Sequence, residues 1–404
     1  EDAMKTILLL GGSTQQIIAI KKAHQMGLRT VLCDYLEDNP GQHHADAFYL
    51  VSTTDKEAVL RVAEKERIDA VVAYSSDPAA PTAAYIAEKL GLPGLPYSTA
   101  LDFCEKHRFR SFLKRNGFNY PRSCTFDEYG SIDGGNLSSM RFPLIVKPTD
   151  SSGSKGVTIV REQDLLSAAY KEARAYSRNG IVIAEEFIER NHAHVIEAEL
   201  LVEQGKVVTW GLINSIRDTV SNPLLPAAYS YPLELTDEQK NTVKSEIERL
   251  VSASGMASGA FNIEMIIDKA GRLFFLDAGP RNGGNMLPDF VSMISGGDVI
   301  ASTVALSFGE ALGKEVYLDG DAGGSWGLVV LHSSSSGKFV SIKYTEAIKE
   351  SIRQEYLFVS PGDKVRPFST CNDLLGLLFL EFCNEEEKRL VMNDLSSHVE
   401  VVVD

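Results

Sequence analysis

Apolar positions follow two rhythms along this chain. Near the start, the run in TILLLGG precedes apolar residues at helical spacing in IIAIKKAHQMG, and then TVLCD, which ends on Asp34. A buried strand, a Gly-Gly turn, an amphipathic helix and a second strand make a βαβ unit. DAVVAYSSD adds a strand and PTAAYIAEKLG a helix closed by Gly91. Residues 4–100 therefore predict an N-terminal α/β domain built on an open, mostly parallel sheet.

After Leu101 the rhythm changes. LDFCEKHRFRSFLKRNG reads as one charged helix ending in Gly117, and FPLIVK as a strand with Lys147 at its end, where Pro148 stops regular pairing. DLLSAAYKEARAYSRNG is a helix stopped by Gly180, IVIAEEFIE a strand, and EAELLVEQGKVVTWGLINSI a hairpin turned at Gly205. A helix then runs from the N-cap Thr236 to Gly255, followed by a second hairpin, GAFNIEMIIDKAGRLFFLDAGPRNGG, turned at DKAG. The tail is β-rich from about Tyr317, with GLVVLHSSSSGKFVSI as strand, serine-glycine turn and strand. It is expected to close the molecule rather than to fold as an independent module.

Composition narrows the function classes. Hydrophobic residues make up 44% and charged residues 24%, as in ordinary folded proteins. Forty basic against fifty-five acidic side chains leave a net charge of −15, which repels nucleic acid and anionic membrane. Apolar stretches such as LLGLLFLEF are too short to cross a bilayer, and no secretory leader pattern is present, so a cytoplasmic location is expected. The three residues before Met4 read as a cloning remnant and carry no weight in the fold. The five cysteines are scattered, odd in number and never in a C-x-x-C pair, which predicts reduced structural thiols.

Candidate chemistry starts at Lys147. The loop TDSSGSKGV after it carries Gly153 and Gly156, the hydroxyls of Ser151, Ser152 and Ser154, and the charge of Lys155. That is the composition of a phosphate cradle, although by itself the loop serves equally as a hairpin connection. It is not a P-loop, since no G-x-x-x-x-G-K-[ST] is present and the chain continues into strand VTIV. In the second hairpin Glu264 and Asp277 stand at about equal distances from the turn, so they can face each other and share magnesium, with Arg281 supplying an anion-binding guanidinium. The strand end AEEFIE can read a purine through its backbone, with His194, and less so His192, as a further nucleotide contact. Gly11 and Gly12 lack the third glycine of a dinucleotide fingerprint; they serve a tight turn or an anion contact.

The order of these parts resembles the ATP-grasp superfamily, in particular the branch of biotin carboxylase, carbamoyl-phosphate synthetase and the purine and amino-acid ligases. The resemblance covers most of the chain and includes the GLPG-like phrase at 91–94. It implies nucleotide contacts from Lys106, Lys147, the loop Ser152, Gly153, Ser154, Lys155, Gly156 and Val157, and the hinge Glu185, Glu186, Phe187 and Ile188, where Glu186 offers its carbonyl and Ile188 its N–H. Metal would lie on Glu264 and Asp277, and Arg281 beside the transferred phosphoryl. The implied architecture is the parallel-sheet domain 4–100, a small lid subdomain 101–184, a large subdomain 185–315 and a closing domain 316–404. The implied activity is an ADP-forming carboxylate-amine ligase that uses ATP and Mg2+, acts on a small carboxylate and an amine through an acyl phosphate, and in many relatives works as a homodimer.

One departure is notable. Relatives carry a second glutamate and then asparagine before the Pro-Arg pair, whereas this chain has Asp277 and Gly279, which leaves Asn282 or Asn285 to supply an oxygen. Ser75, Ser76, Asp77 and Arg217 are candidate substrate contacts, with Arg217 equally readable as a solvated surface residue. The competing readings are a bicarbonate-activating carboxylase, a nucleotide-binding protein without turnover, and a dehydrogenase built on the first βαβ unit.

Overall fold

The computed structural model describes residues 4–218, 223–320 and 322–404. Its first unit is a parallel four-stranded sheet in which Thr6–Leu10 lies between Arg29–Asp34 and Ala70–Val72, with Ala47–Leu50 at the edge. Strand Thr6–Leu10 is buried along its whole length, which is why it reads as an unbroken apolar run. A five-stranded antiparallel sheet holds Leu144–Pro148 beside Val182–Glu186. The expected division at 184/185 falls inside this second strand.

The largest element is an eight-stranded sheet. From one edge it runs Leu273–Gly279, Ser258–Ile267, Val195–Glu203, Lys206–Arg217, Pro226–Tyr231, Ser325–Leu331, Gly376–Phe382 and Ile352–Leu357. Three strands of the stretch 316–404 thus continue the sheet that carries the acidic hairpin. The serine-glycine segment joins strands that never pair, since Gly337–Tyr344 belongs to a separate three-stranded sheet. Helix Asp237–Ser254 covers one face, burying Val243, Ile247, Leu250 and Val251 in a core that includes Phe103, Phe109, Phe261 and Phe275. No helix among the described residues is long and apolar enough to cross a membrane.

Local structure corrects the sequence reading at three points. The charged segment is two helices, Tyr97–Cys104 and Lys106–Arg115, because Glu105 is extended and the Lys106 N–H donates to the carbonyl of Thr149 at 2.8 Å. A tertiary hydrogen bond, not a sequence breaker, ends the first helix. The strand ends on Pro148, one residue later than expected: Pro148 still pairs with Val182, and the ladder on its other flank ends at Val146, so its missing N–H is not needed. Helix Leu166–Tyr176 ends at the cap Ser177, three residues before Gly180.

The hairpin 258–279 positions the site. Its turn is tied by Asp268 Oδ1, which accepts from the N–H groups of Ala270 and Arg272 at 2.9 Å each, and Gly271 adopts φ +77°. The turn sets the pairing from Ile267–Leu273 to Met265–Phe275, and a one-residue shift beyond Met265 then brings Glu264 opposite Asp277 rather than Leu276. Replacing Gly271 by alanine is expected to destabilise the protein by about 1 kcal/mol, measured as a lower urea midpoint with an unchanged m-value.

Candidate active site

The three larger sheets meet at a cleft of about 720 Å³. Lys106, Lys147, Ser152, Gly153, Ser154, Lys155, Val157, Glu185, Glu186, Phe187, Ile188, Glu264, Asp277 and Arg281 all line it, as do Ser75, Ser76, Asp77, Arg217 and Asn285. Two expected contacts stand outside the lining. Gly156 is turned at φ +69° against the Tyr176 ring, and His194 faces Glu234 at 3.8 Å instead of the cleft. His192 is structural as well: its Nε2 accepts the Ile267 N–H at 2.9 Å.

A buried charge cluster forms the inner wall. Lys106 and Arg110 lie one turn apart on helix Lys106–Arg115 and so share a face. The Arg110 Nε donates to Glu185 at 2.5 Å, its Nη2 donates to the carbonyl of Leu276 at 2.8 Å, and Lys147 Nζ meets Glu185 at 2.5 Å. Burial would raise the Glu185 pKa, but Arg110 and then Lys147 outweigh it and hold the carboxyl down to about 2. Burial lowers the pKa of Lys147 despite Glu185, which makes it a lysine held in a dry pocket.

Opposite this wall the sheet presents two cross-strand rows. Glu197, Glu264 and Asp277 are successive register partners in one, and Glu199, Asn262 and Gly279 in the other. Neighbouring carboxylates at this spacing repel unless neutralised. Arg217 meets Glu264 at 3.0 Å and Lys106 meets Asp277 at 3.2 Å. Arg217 is therefore a half-buried partner of the acidic row and not a solvated surface arginine; residues 219–222, expected as a loop over the acyl site, lie outside the described residues. Burial raises the Asp277 pKa, yet Lys106 and Lys147 bring it below the usual value. Burial and then the charge of Glu264 push Glu197 up to about 7. Burial pushes Glu199 up to about 8, against hydrogen bonds from Gly283 and Asn282. Asn282 is thus turned into the protein toward Glu199 and Thr303, while Asn285 lines the cleft and donates to the Tyr229 hydroxyl at 3.0 Å.

The glycine loop closes the opening. Ser154 Oγ donates to the Leu224 carbonyl at 3.2 Å, and a side chain at Gly153, φ +67°, would collide with Cys371 Sγ. The tail therefore reaches the loop through Cys371 and Asn372, both of which line the cleft. At the hinge, the N–H groups of Glu186 and Phe187 donate to the carbonyls of Arg122 and Pro143, at 2.9 and 3.0 Å. The Glu186 carboxylate accepts from Arg141 N at 2.9 Å, so only Glu185 of this pair points its charge inward.

Residues 106–315, just over half the chain, match the family described as "Carbamoyl-phosphate synthase L chain, ATP binding domain", and residues 20–94 match the ATP-grasp N-terminal domain. This chain belongs to the ATP-grasp family. The expected fold class is met too. An L-amino acid ligase from Bacillus licheniformis superposes with a TM-score of 0.82 at 23% identity over all of both chains. A phosphoribosylglycinamide synthetase from Anaerococcus prevotii does so at 0.75 and 19%, again over both whole chains. In sequence, the chain is 26% identical over 290 residues to a formate-dependent phosphoribosylglycinamide formyltransferase of Wolinella succinogenes, covering 68% of this chain and 69% of that protein.

Sequence reasoning missed Arg110, Glu197, Glu199, Asn262 and the Cys371–Asn372 turn. Glu197 and Glu199 did leave a signal: two carboxylates at i and i+2 in an apolar strand must face the same way. Arg110→Met should destabilise the ATP-grasp fold by about 3–5 kcal/mol, since it leaves Glu185 short of its partner in a dry site; chemical denaturation measures this. The Glu185 contribution is fully present above its unfolded value of 4.5 and is lost as pH falls through about 2, so wild type should lose stability more steeply than Glu185→Gln across that window.

Proposed function

We propose that this ATP-grasp protein is an ADP-forming carboxylate-amine ligase. The observation that carries the reading is a single cleft in which the Glu264–Asp277 pair stands across from Lys106, Lys147 and the glycine loop. Phosphoryl transfer requires charge neutralisation and in-line placement more than a protein nucleophile, and the cleft is built from such groups. A carboxylate oxygen of the acid attacks the γ-phosphorus of ATP as the bond to ADP breaks. The amine nitrogen then attacks the acyl carbon, a C–N bond forms, phosphate leaves, and the ammonium proton passes to solvent.

Lys147 and Lys155 would hold phosphate oxygens, and the hinge backbone at Glu186 and Ile188 the adenine. Among the described residues no cluster of three or more metal-ligating side chains occurs. Two carboxylates nevertheless fit magnesium, which is held by one or two carboxylates together with substrate phosphates and water. Glu264 and Asp277 would hold it, and it would neutralise developing charge on the phosphates. The loop 151–157, resting on Leu224 and Cys371, would exclude water so that the amine meets the acyl phosphate.

The names of the sequence relatives direct the first acid screen to formate, and the amino-acid ligase neighbour directs the second to amino acids. With the right acid, ATP and Mg2+, hydroxylamine in place of the amine should trap a hydroxamate. Arg281→Ala should reduce that yield about a hundredfold, equivalent to roughly 2.7 kcal/mol of barrier. ADP formed with an acid but without hydroxamate would overturn the reading, and turnover that depends on bicarbonate alone would replace it with a carboxylase. Glu264→Gln and Asp277→Asn should each raise the magnesium concentration needed for half-maximal turnover; identical magnesium curves would remove the metal from these residues.

A further inference from the structure

Arg281 is nearly saturated within the protein. Its Nε donates to Asp77 Oδ1 at 2.7 Å, its Nη2 to Asp77 Oδ2 at 2.6 Å, and its Nη1 to Asn262 Oδ1 at 3.2 Å and the Asn282 carbonyl at 3.0 Å. A guanidinium has five N–H groups and two bidentate edges; Asp77 occupies the Nε–Nη2 edge, and Asn262 and the Asn282 carbonyl engage Nη1 of the other. An arginine that serves the transferred phosphoryl cannot do so while these edges are taken.

Asp77 comes from the parallel-sheet domain, in the loop after strand Ala70–Val72, whose Ser75 adopts φ +52° and donates Oγ to the Gly283 carbonyl at 2.7 Å. The opposite strand makes room for it. The row Glu199, Asn262, Gly279 ends without a side chain, and a Cβ on Gly279 would fall 2.7 Å from Asp77 Oδ1 and 2.8 Å from Arg281 Nε. Asp77 and Arg281 both line the cleft beside Lys106 and Asp277, so the pair sits where a ligand can reach it.

We propose that Asp77 is a built-in occupant of the Arg281 anion site, released when a phosphoryl group takes the guanidinium, and that Gly279 is the residue that admits it. The inference rests on reading this cleft as a phosphoryl-transfer site. Asp77 thereby becomes a positioning residue: it balances the charge of Arg281 and holds it oriented until the anion arrives. An internal competitor lowers apparent affinity by the fraction of time that the site is free.

The test is binding of inorganic phosphate to the full chain with ADP and Mg2+ present, read by calorimetry. Asp77→Asn should bind phosphate about tenfold more tightly. Gly279→Ala keeps the charge of Asp77 but crowds it away from Arg281, both contacts being ends of flexible side chains; it should also tighten binding. Unchanged or weaker binding by Asp77→Asn overturns the proposal, as does phosphate binding too weak to detect in every protein. A gain in Asp77→Asn with none in Gly279→Ala also overturns it, because it would reflect only the removal of a negative charge nearby. No acid or amine is present, so the result stands apart from hydroxamate formation.

Discussion

Glu185, buried and bracketed by Arg110 and Lys147, is the contact on which the rest of the site hangs. Three elements converge on its two oxygens: its own strand Val182–Glu186, the neighbouring strand through Lys147, and helix Lys106–Arg115 through Arg110. Arg110 extends the connection by donating to the carbonyls of Phe275 and Leu276 on the acidic hairpin. A charge taken out of water at this depth demands partners on more than one side. Meeting that demand locks the five-stranded sheet, the helix and the hairpin into one relative position.

The acidic hairpin imposes the complementary constraint. Strand pairing sets Glu197, Glu264 and Asp277 side by side whether or not their charges agree, because register is dictated by the turn, the bulge beyond Met265 and the buried apolar face. The protein answers with cations from other elements: Lys106 from a helix and Arg217 from the next strand. The cleft is therefore lined by opposed charges already in balance within the protein. A nucleotide and its metal would enter by exchanging partners rather than by filling an uncharged hollow.

Much of this was legible in the amino-acid sequence where the causes are local. That Glu264 and Asp277 face each other was readable from their about equal distances to one turn, although a one-residue bulge completes the register, and the parallel sheet from alternating strand and helix rhythm. The Lys147 loop, the strand end AEEFIE and His194 were read from their own residues and Lys106 through family resemblance, and the cleft collects them apart from Gly156 and His194. What stayed hidden depends on distant partners. Arg110 finds Glu185 at a separation of 75 residues, and Arg281 finds Asp77 at 204. No spacing rule encodes such contacts. The helix break at Glu105 is of the same kind, since a carbonyl 43 positions from Lys106, that of Thr149, decides it. Gly279, first met as a departure from the family pattern, has a steric meaning only once Asp77 is seen beside it.

The continuation of the large sheet into the tail bears on where that sheet ends. Strand Pro226–Tyr231, whose Tyr229 forms part of the cleft wall, is flanked on its outer side only by Ser325–Leu331. Without the tail that strand would be an edge, with a row of unpaired N–H and C=O groups beside apolar side chains, the arrangement that recruits other chains. The tail, though distant in sequence from every nucleotide contact named above, covers that edge and moves the end of the sheet away from the cleft to Ile352–Leu357. During synthesis the active-site sheet remains open along that side until Ser325–Leu331, nearly a hundred residues further along the chain, has emerged and paired.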